Sequence, residues 1–325
     1  MPKFSIIIPV FNVAPYLHEC LDSVSAQTCT NWEAICVDDG SSDGSGAILD
    51  EYAEKDSRFS IIHQQNAGVS VARNAALDVV RGEWVCFLDS DDVVGKNWLL
   101  HIHEATIRYP SVDWVRTRYR DLIEGKEPQP WPESSINCEE VGFYERVTPF
   151  MWNRLDKLGM PWLNIFKRSI IGDLRFEIGL NLYEDIVFCA EMIRRATSFC
   201  VIPADDYLYR IRHGSAAHSY MEFSQIYRGL SSFLRSWKKS SGTPGALTLR
   251  FRRSISRCHD SGCRFSLGES FRLRHLLCKY WVSGAFSFHK VPSRKLKIRW
   301  GLFFVTGCSA FLWSPLNLCL WKGCK

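Results

Sequence analysis

The stretch GEWVCFLDSDD, residues 82–92, runs from an apolar core into three aspartates within four positions, Asp89, Asp91 and Asp92. Carboxylates packed this closely repel one another unless a positive charge lies between them. The apolar part, EWVCFLD (83–89), reads as a buried β-strand, which places the acidic cluster at a strand's carboxyl end.

Working outward, the same alternation repeats. FSIIIPVF (4–11), EAICVD (33–38) and FSIIHQ (59–64) read as three further strands, each rich in β-branched or aromatic residues. Between them, Leu17, Leu21 and Val24 recur at helical spacing, AILDEYAEK follows a Gly/Ser-rich loop, and GVSVARNAALDVV (68–80) carries a helical pattern. Strands alternating with helices imply a mostly parallel sheet covered by helices on both faces. Such sheets bind ligands beyond the carboxyl ends of their strands. Two acidic clusters fall there, Asp38-Asp39-Gly40-Ser41 and Asp89-Ser90-Asp91-Asp92, and the reading expects them at equivalent ends of neighbouring strands. Alone, VDDGSSDGS is also the composition of a turn and helix cap; the pair of clusters favours a site.

Adjacent carboxylates that leave coordination positions open suit a hard divalent cation, Mn²⁺ or Mg²⁺, holding a substrate diphosphate. FLDSDDVVGKNW lacks the length and distal glutamate of a calcium-binding EF-hand. Neither GxxxxGK[ST] nor GxGxxG follows the first strand, which argues against P-loop hydrolysis and ordinary dinucleotide binding.

The strings SIIIPVFN, VDDGSSDGS, QQNAGVSVARNAAL and GEWVCFLDSDD, in this order, resemble glycosyltransferase family 2, inverting enzymes of the GT-A fold, of the bacterial surface-polysaccharide type. The resemblance continues more weakly through MPWLNIFKRSII (160–171), LYEDIVFCAEM (182–192) and YRIRHGSAAHS (209–219), and fades after about residue 220. It implies an α/β GT-A fold, Rossmann-like with a mostly parallel sheet flanked by helices, to which the composition of the later residues adds a basic and mainly helical C-terminal extension. Domain 1–220 would be catalytic, with nucleotide-sugar binding in 1–120 and the acceptor half in 121–220; 221–325 would be the extension.

The resemblance also implies roles. Asp39 matches a residue that recognises the base of a nucleotide sugar, with Pro9 and Phe11 lining the same pocket. Arg73 matches a basic residue near the donor's ribose and diphosphate. Asp89 and Asp91 match the DxD motif: Asp91 as the main metal ligand, and Asp89 and Ser90 nearer ribose and sugar. Asp92 is either a supporting neighbour or an alternative ligand. Glu184-Asp185 matches the ED motif, with Asp185 the base that takes the acceptor hydroxyl's proton and Glu184 beside it; acidic residues would equally suit a helix start there. Trp162 is a candidate near the acceptor. One of Arg210, Arg212 and His213 could reach the diphosphate. A departure stands at Asn164, where the family usually carries Lys or Gly.

Charge divides the chain. Residues 1–220 balance to −11, whereas 221–325 carry 19 Lys/Arg against three Asp/Glu. Gly301–Trp321 holds no charged residue and is flanked by Lys295, Lys297, Arg299 and Lys322. Its length would just span a hydrocarbon core. Pro315, Asn317 and the spread of Trp300, Trp313 and Trp321 fit a segment lying in the membrane interface better, and a buried helix packed on the catalytic domain is the alternative. No nucleic-acid-binding motif accompanies the charge. Thirteen cysteines at irregular spacing, with no signal segment and no CxxC pair, fit a reducing compartment.

These readings expect an enzyme, cytoplasmic and peripheral to the inner face of the membrane, that moves a sugar, UDP-linked in donor form, to a glycan or lipid-linked acceptor. The alternatives are a nucleotidyltransferase, for which PVFNVAPY lacks a pyrophosphate loop, and an inactive scaffolding homologue, which loss of a DxD or ED carboxylate would have favoured.

Overall fold

A computed structural model of the chain describes residues 1–123, 159–180, 183–211, 228 and 231–232. The chain divides into compact units 1–240 and 241–325, and the described residues all belong to the first. The basic extension and its apolar segment 301–321 lie outside the described residues, as do Arg212 and His213. Among the described residues no helix is long and apolar enough to cross a membrane.

Strands β1 (Phe4–Val10), β2 (Trp32–Asp38), β3 (Phe59–His63) and β4 (Trp84–Phe87) form where the alternation predicts them, and they pair with one another in parallel. Between them run helices α1 (Ala14–Ser25), α2 (Ser45–Lys55) and α3 (Val69–Leu77). Later in the chain come β5 (Val93–Val94), α4 (Trp98–Arg108), β6 (Trp114–Arg116) and β7 (Tyr119–Ile123). After the interruption follow β8 (Asn164–Lys167), the short α5 (Arg168–Ile171), α6 (Glu184–Arg195), β9 (Phe199–Val201) and β10 (Tyr207–Ile211).

The main sheet has the order β3-β2-β1-β4-β8-β6-β9. β8 runs antiparallel to both β4 and β6, while β9 returns parallel to β6. A smaller sheet has the order β5-β10-β7.

The period-two pattern of the central strands explains why both faces are covered. Phe4, Ile6, Ile8 and Val10 of β1 join a buried cluster with Leu17 and Leu21 of α1, Leu49 of α2 and Trp98 and Ile102 of α4. The intervening Ile7 is equally buried but lies outside that cluster, and α3 packs against β1 and β2. Phe87 of β4 meets Phe176 and Phe188 of α6 edge to face, with ring centroids 5.6 and 5.7 Å apart. Such alternation is what a strand between two helical layers requires.

The strand order moves the two acidic loops. Asp38 and Asp89 do lie at the carboxyl ends of parallel strands, but β1 stands between β2 and β4, so these strands are not neighbours. The chain leaves β1 first toward β2 and β3 and then crosses back to β4, so the switch of direction opens between β1 and β4.

The turn after β2 is set by one glycine. Gly40 has φ +75°, and a Cβ there would stand 2.8 Å from the Asn66 backbone nitrogen. Gly44, at φ +93°, has open space around the same position. Gly40→Ala is expected to cost about 2–3 kcal/mol in urea unfolding and Gly44→Ala about 1, since only the first adds a steric clash to the left-handed backbone. Equal costs would contradict this account of the turn.

Candidate active site

The loop after β1 and the loop after β2 brace each other. Asn12, in a left-handed conformation at φ 51°, donates its N–H to Ser41 Oγ at 3.1 Å and accepts from the Ser42 N–H through Oδ1 at 2.8 Å. Asp43 accepts from the Ala14 N–H and the Ser45 hydroxyl. A Pro-Val-Phe-Asn segment would otherwise be mobile at a strand end. Phe11 is held there 47% exposed, an uncommon exposure for a phenylalanine, with half-buried Pro9 just before it.

Asp38 and Asp39 face different tasks. Asp38 accepts from the Ser41 N–H and pairs with His63 Nδ1 at 3.0 Å, and His63 Nε2 meets Asp50 at 2.9 Å. Asp50, then Asp38, hold the His63 pKa above the usual imidazole range. Asp39 is buried and accepts three hydrogen bonds from the 64–68 loop: Gln64 Nε2 at 2.7 Å, Ala67 N–H at 2.9 Å and Gly68 N–H at 2.8 Å. That fills three of the about four lone-pair positions of a carboxylate. Its main structural task is thus to shape the loop that leads into α3.

The second group of carboxylates gathers around one guanidinium. Arg73, on α3, is 6% exposed. Its Nη2 donates to Asp89 Oδ1 at 3.1 Å, and its Nη1 lies 3.7 Å from Glu184 Oε1. Phe176 packs against the same group, 5.2 Å from ring centroid to guanidinium carbon, and stacks on Phe188 at 4.0 Å. Asn74, the next residue of α3, fixes this arrangement. Its side chain accepts from the Phe176 N–H at 2.7 Å and donates to the Phe176 carbonyl at 2.9 Å. Arg73 Nε and Nη1 are buried without a hydrogen-bond acceptor among the described residues.

The charges respond accordingly. Burial raises the Asp89 carboxyl, Arg73 opposes it, and Asp91 adds to it. Burial likewise raises Glu184 against the pull of Arg73. Asp185 begins α6 beside Glu184, and burial, followed by the Glu184 charge, pushes it up to about 8. Arg73 itself stays above its usual range because Asp89, Glu184 and Asp185 outweigh its burial. Tyr183, just before the pair, has φ 69°, a costly backbone for a tyrosine, of the kind that concentrates at functional sites.

Of the sequence candidates, the fold brings Arg73, Asp89, Glu184 and Asp185 together. Pro9, Phe11 and Asp39 stand at the adjoining ends of β1 and β2. Ser90 is buried within the loop. Asp91 is half-buried, whereas Asp92 is 1% exposed with both oxygens engaged by Tyr207 and Arg210. Trp162 is 4% exposed and stacks on Tyr207 and Tyr209 at 4.6 and 5.1 Å, so it belongs to the packing beneath the loop. Arg210 is anchored to Glu19 and to the Asp91 carbonyl. Asn164 is a buried hub: Oδ1 accepts from Trp114 Nε1 and Arg116 Nη1, and Nδ2 donates to the Met160 carbonyl. The departure at that position thus serves packing.

Sequence reasoning missed Tyr207 and Phe176. The alternation in YLYRI offered a signal for Tyr207, because a strand puts it on one face with Tyr209, against Trp162. Phe176 sits in a connection with no periodicity to reveal it.

Among the described residues no group of three or more His, Cys, Asp or Glu side chains is arranged so that it could hold a metal ion. Asp89 and Asp91 nevertheless supply the hard oxygen donors that Mn²⁺ or Mg²⁺ takes, and their mutual repulsion is what a cation would relieve.

Residues 5–175 match the family described as "Glycosyl transferase family 2", more than half of the chain, and the chain belongs to that family. Among curated relatives, "Glycosyltransferase GlyA" of Streptococcus pneumoniae is 32% identical over 225 residues, covering 68% of this chain and 32% of the relative. "Poly(ribitol-phosphate) beta-glucosyltransferase" of Bacillus spizizenii is 41% identical over 253 residues, 73% of this chain and 37% of that one. The matched stretch thus spans about a third of the length of these two relatives. Among solved structures, S. aureus TarS 1–349 in complex with UDP-GlcNAc superposes with a TM-score of 0.71 at 22% identity, over 94% of this chain and 88% of that one. The fold is therefore the GT-A fold, with its mostly parallel central sheet.

The raised Asp185 pKa yields a pH prediction. Between its unfolded value near 4 and its native value of about 8, the native state binds the extra proton, so stability falls as pH rises through that window. Asp185→Asn is expected to flatten the fall measured by urea midpoints from pH 5 to 9 in chelator. An unchanged slope would contradict the raised pKa of Asp185.

Proposed function

We propose that this chain is a metal-dependent, inverting glycosyltransferase that moves a sugar from a nucleotide donor to an acceptor hydroxyl. The observation that carries the reading is the single buried guanidinium, Arg73, against which the Asp89 loop and the Glu184-Asp185 pair both converge. One end of that cluster suits a cation and a diphosphate, and the other suits a base.

Asp185 takes the proton of the acceptor hydroxyl as the oxygen attacks the anomeric carbon. A carboxylate raised to about 8 is a stronger base than a solvated one and keeps its pKa near working pH. Single displacement turns an α-linked donor into a β-linked product. Asp89 and Asp91 would hold Mn²⁺ or Mg²⁺, which when bound offsets the negative charge on the departing diphosphate. The exposed ring of Phe11, with Pro9, offers a face for the base, and the three hydrogen bonds to Asp39 leave it one acceptor position. Ser90 lies in the same loop, on the ribose and sugar side. The two Arg73 N–H groups without an acceptor favour an anionic donor beside them.

TarS carries UDP-GlcNAc on the same fold, which supports a UDP-linked donor. The poly(ribitol-phosphate) beta-glucosyltransferase relative supports a cell-surface polymer or lipid-linked acceptor. The basic, aromatic composition of 295–325 supports contact with an anionic inner membrane surface, at about 1 kcal/mol per basic residue near it, and a cytoplasmic, peripheral location.

Nucleoside diphosphate release from a panel of nucleotide sugars with Mn²⁺ tests this reading; pyrophosphate release instead would indicate nucleotidyl transfer. Asp91→Asn should lose metal-dependent turnover by at least about 100-fold. Asp185→Asn should still bind donor but lose transfer by about 10²–10⁴-fold, the usual contribution of a general base. Near-normal transfer by Asp185→Asn would remove it as the base.

A further inference from the structure

The aspartate that closes the DSDD loop, Asp92, is turned toward β10. Its Oδ2 accepts from the Tyr207 hydroxyl at 2.6 Å, and its Oδ1 accepts from the Arg210 backbone N–H at 2.7 Å. The Tyr207 oxygen accepts in turn from the Asp89 N–H at 3.3 Å. One phenolic hydroxyl thus ties the first aspartate of the loop to the last.

Arg210 adds a second tie. Its Nε–H donates to the Asp91 carbonyl at 2.7 Å, and its far end meets Glu19 of α1 with the guanidinium 5.0 Å from the Tyr16 ring centroid. Beneath both ties, the fully buried Tyr207 ring stacks on Trp162 and meets Trp98 edge to face. β5, which follows the loop directly, pairs antiparallel with β10 through Val94 opposite Tyr207. The backbone on either side of Asp91 is therefore fastened to one strand that is distant in sequence.

We propose that Asp92, Tyr207 and Arg210 are positioning residues that hold the Asp89–Asp92 loop in the conformation in which Asp89 and Asp91 meet a divalent cation. The inference rests on the reading of those two aspartates as cation ligands. Two carboxylates that repel each other will spread apart on a loose loop, and the brace opposes that before the cation arrives. Partners that orient metal ligands typically contribute about 10–100-fold to metal affinity.

The test is the Mn²⁺ concentration giving half-maximal nucleoside diphosphate release by the full chain. Tyr207→Phe keeps the buried ring and removes both hydrogen bonds. It should raise that concentration about tenfold or more, with turnover recovering at saturating Mn²⁺. Asp92→Asn should act in the same direction and carries the test alone if Tyr207→Phe does not fold. Tyr52→Phe is the control. Its hydroxyl bonds Asp22 and the His18 carbonyl between α1 and α2, so it should alter thermal stability without changing the Mn²⁺ requirement. Wild-type Mn²⁺ dependence in both Tyr207→Phe and Asp92→Asn, alongside loss of activity in Asp91→Asn, would overturn the brace and leave the cation reading standing. Wild-type Mn²⁺ dependence in Asp91→Asn would overturn the cation reading itself, and the brace with it.

Discussion

Carboxylates gathered this closely must be held against their own repulsion, and the buried Arg73 guanidinium is the charge that holds three of them. It pairs with Asp89, faces Glu184 and acts electrostatically on Asp185. Withdrawing such a partner from a buried cluster leaves uncompensated charge, typically at a cost of about 3–5 kcal/mol. The supporting geometry follows from that demand. Asn74 clamps Phe176, Phe176 covers Arg73 and stacks on Phe188, and Phe188 belongs to the helix that begins with Glu184 and Asp185. Helices α3 and α6 are thereby joined at the point where charge is concentrated.

The balance of that cluster is incomplete in a useful way. One guanidinium cannot neutralise Asp89, Glu184 and Asp185 together, and burial, with repulsion from neighbouring carboxylates, raises all three in pKa against the pull of Arg73. A cation at the Asp89-Asp91 end would relieve one side. The raised Asp185 on the other side is then suited to accept a proton. The same arrangement reduces stability as pH rises, so the site's reactivity and the chain's stability draw on opposite protonation states of one residue.

The sequence made the first half of this structure legible because its signals are local. Period-two strands, Gly/Ser/Asp loops and the ARNAAL helix each announce themselves within a dozen residues, and β1 to β4 fall where they predict. Strand order was not local. That β1 separates β2 from β4, and that β8 inserts antiparallel between β4 and β6, depend on pairings across about 80 residues that no window reveals. The carboxylates could be named from their motifs, but their division of labour could not. Asp92 is engaged by Tyr207 and Arg210, more than 100 residues away. Trp162, a candidate near the acceptor from sequence, and Asn164, a departure from the family pattern, are both buried, because their partners Tyr207, Trp114 and Arg116 come from other strands.

The central claim is that this carboxylate cluster is a donor site completed by a divalent cation. Calorimetric titration of the full chain with UDP, in the presence and absence of Mn²⁺, tests it most directly. The account predicts binding that strengthens at least about tenfold with Mn²⁺ and loses that gain in Asp91→Asn, as expected where a metal bridges protein carboxylates and a diphosphate. UDP affinity indifferent to Mn²⁺, or a gain that survives in Asp91→Asn, would contradict it.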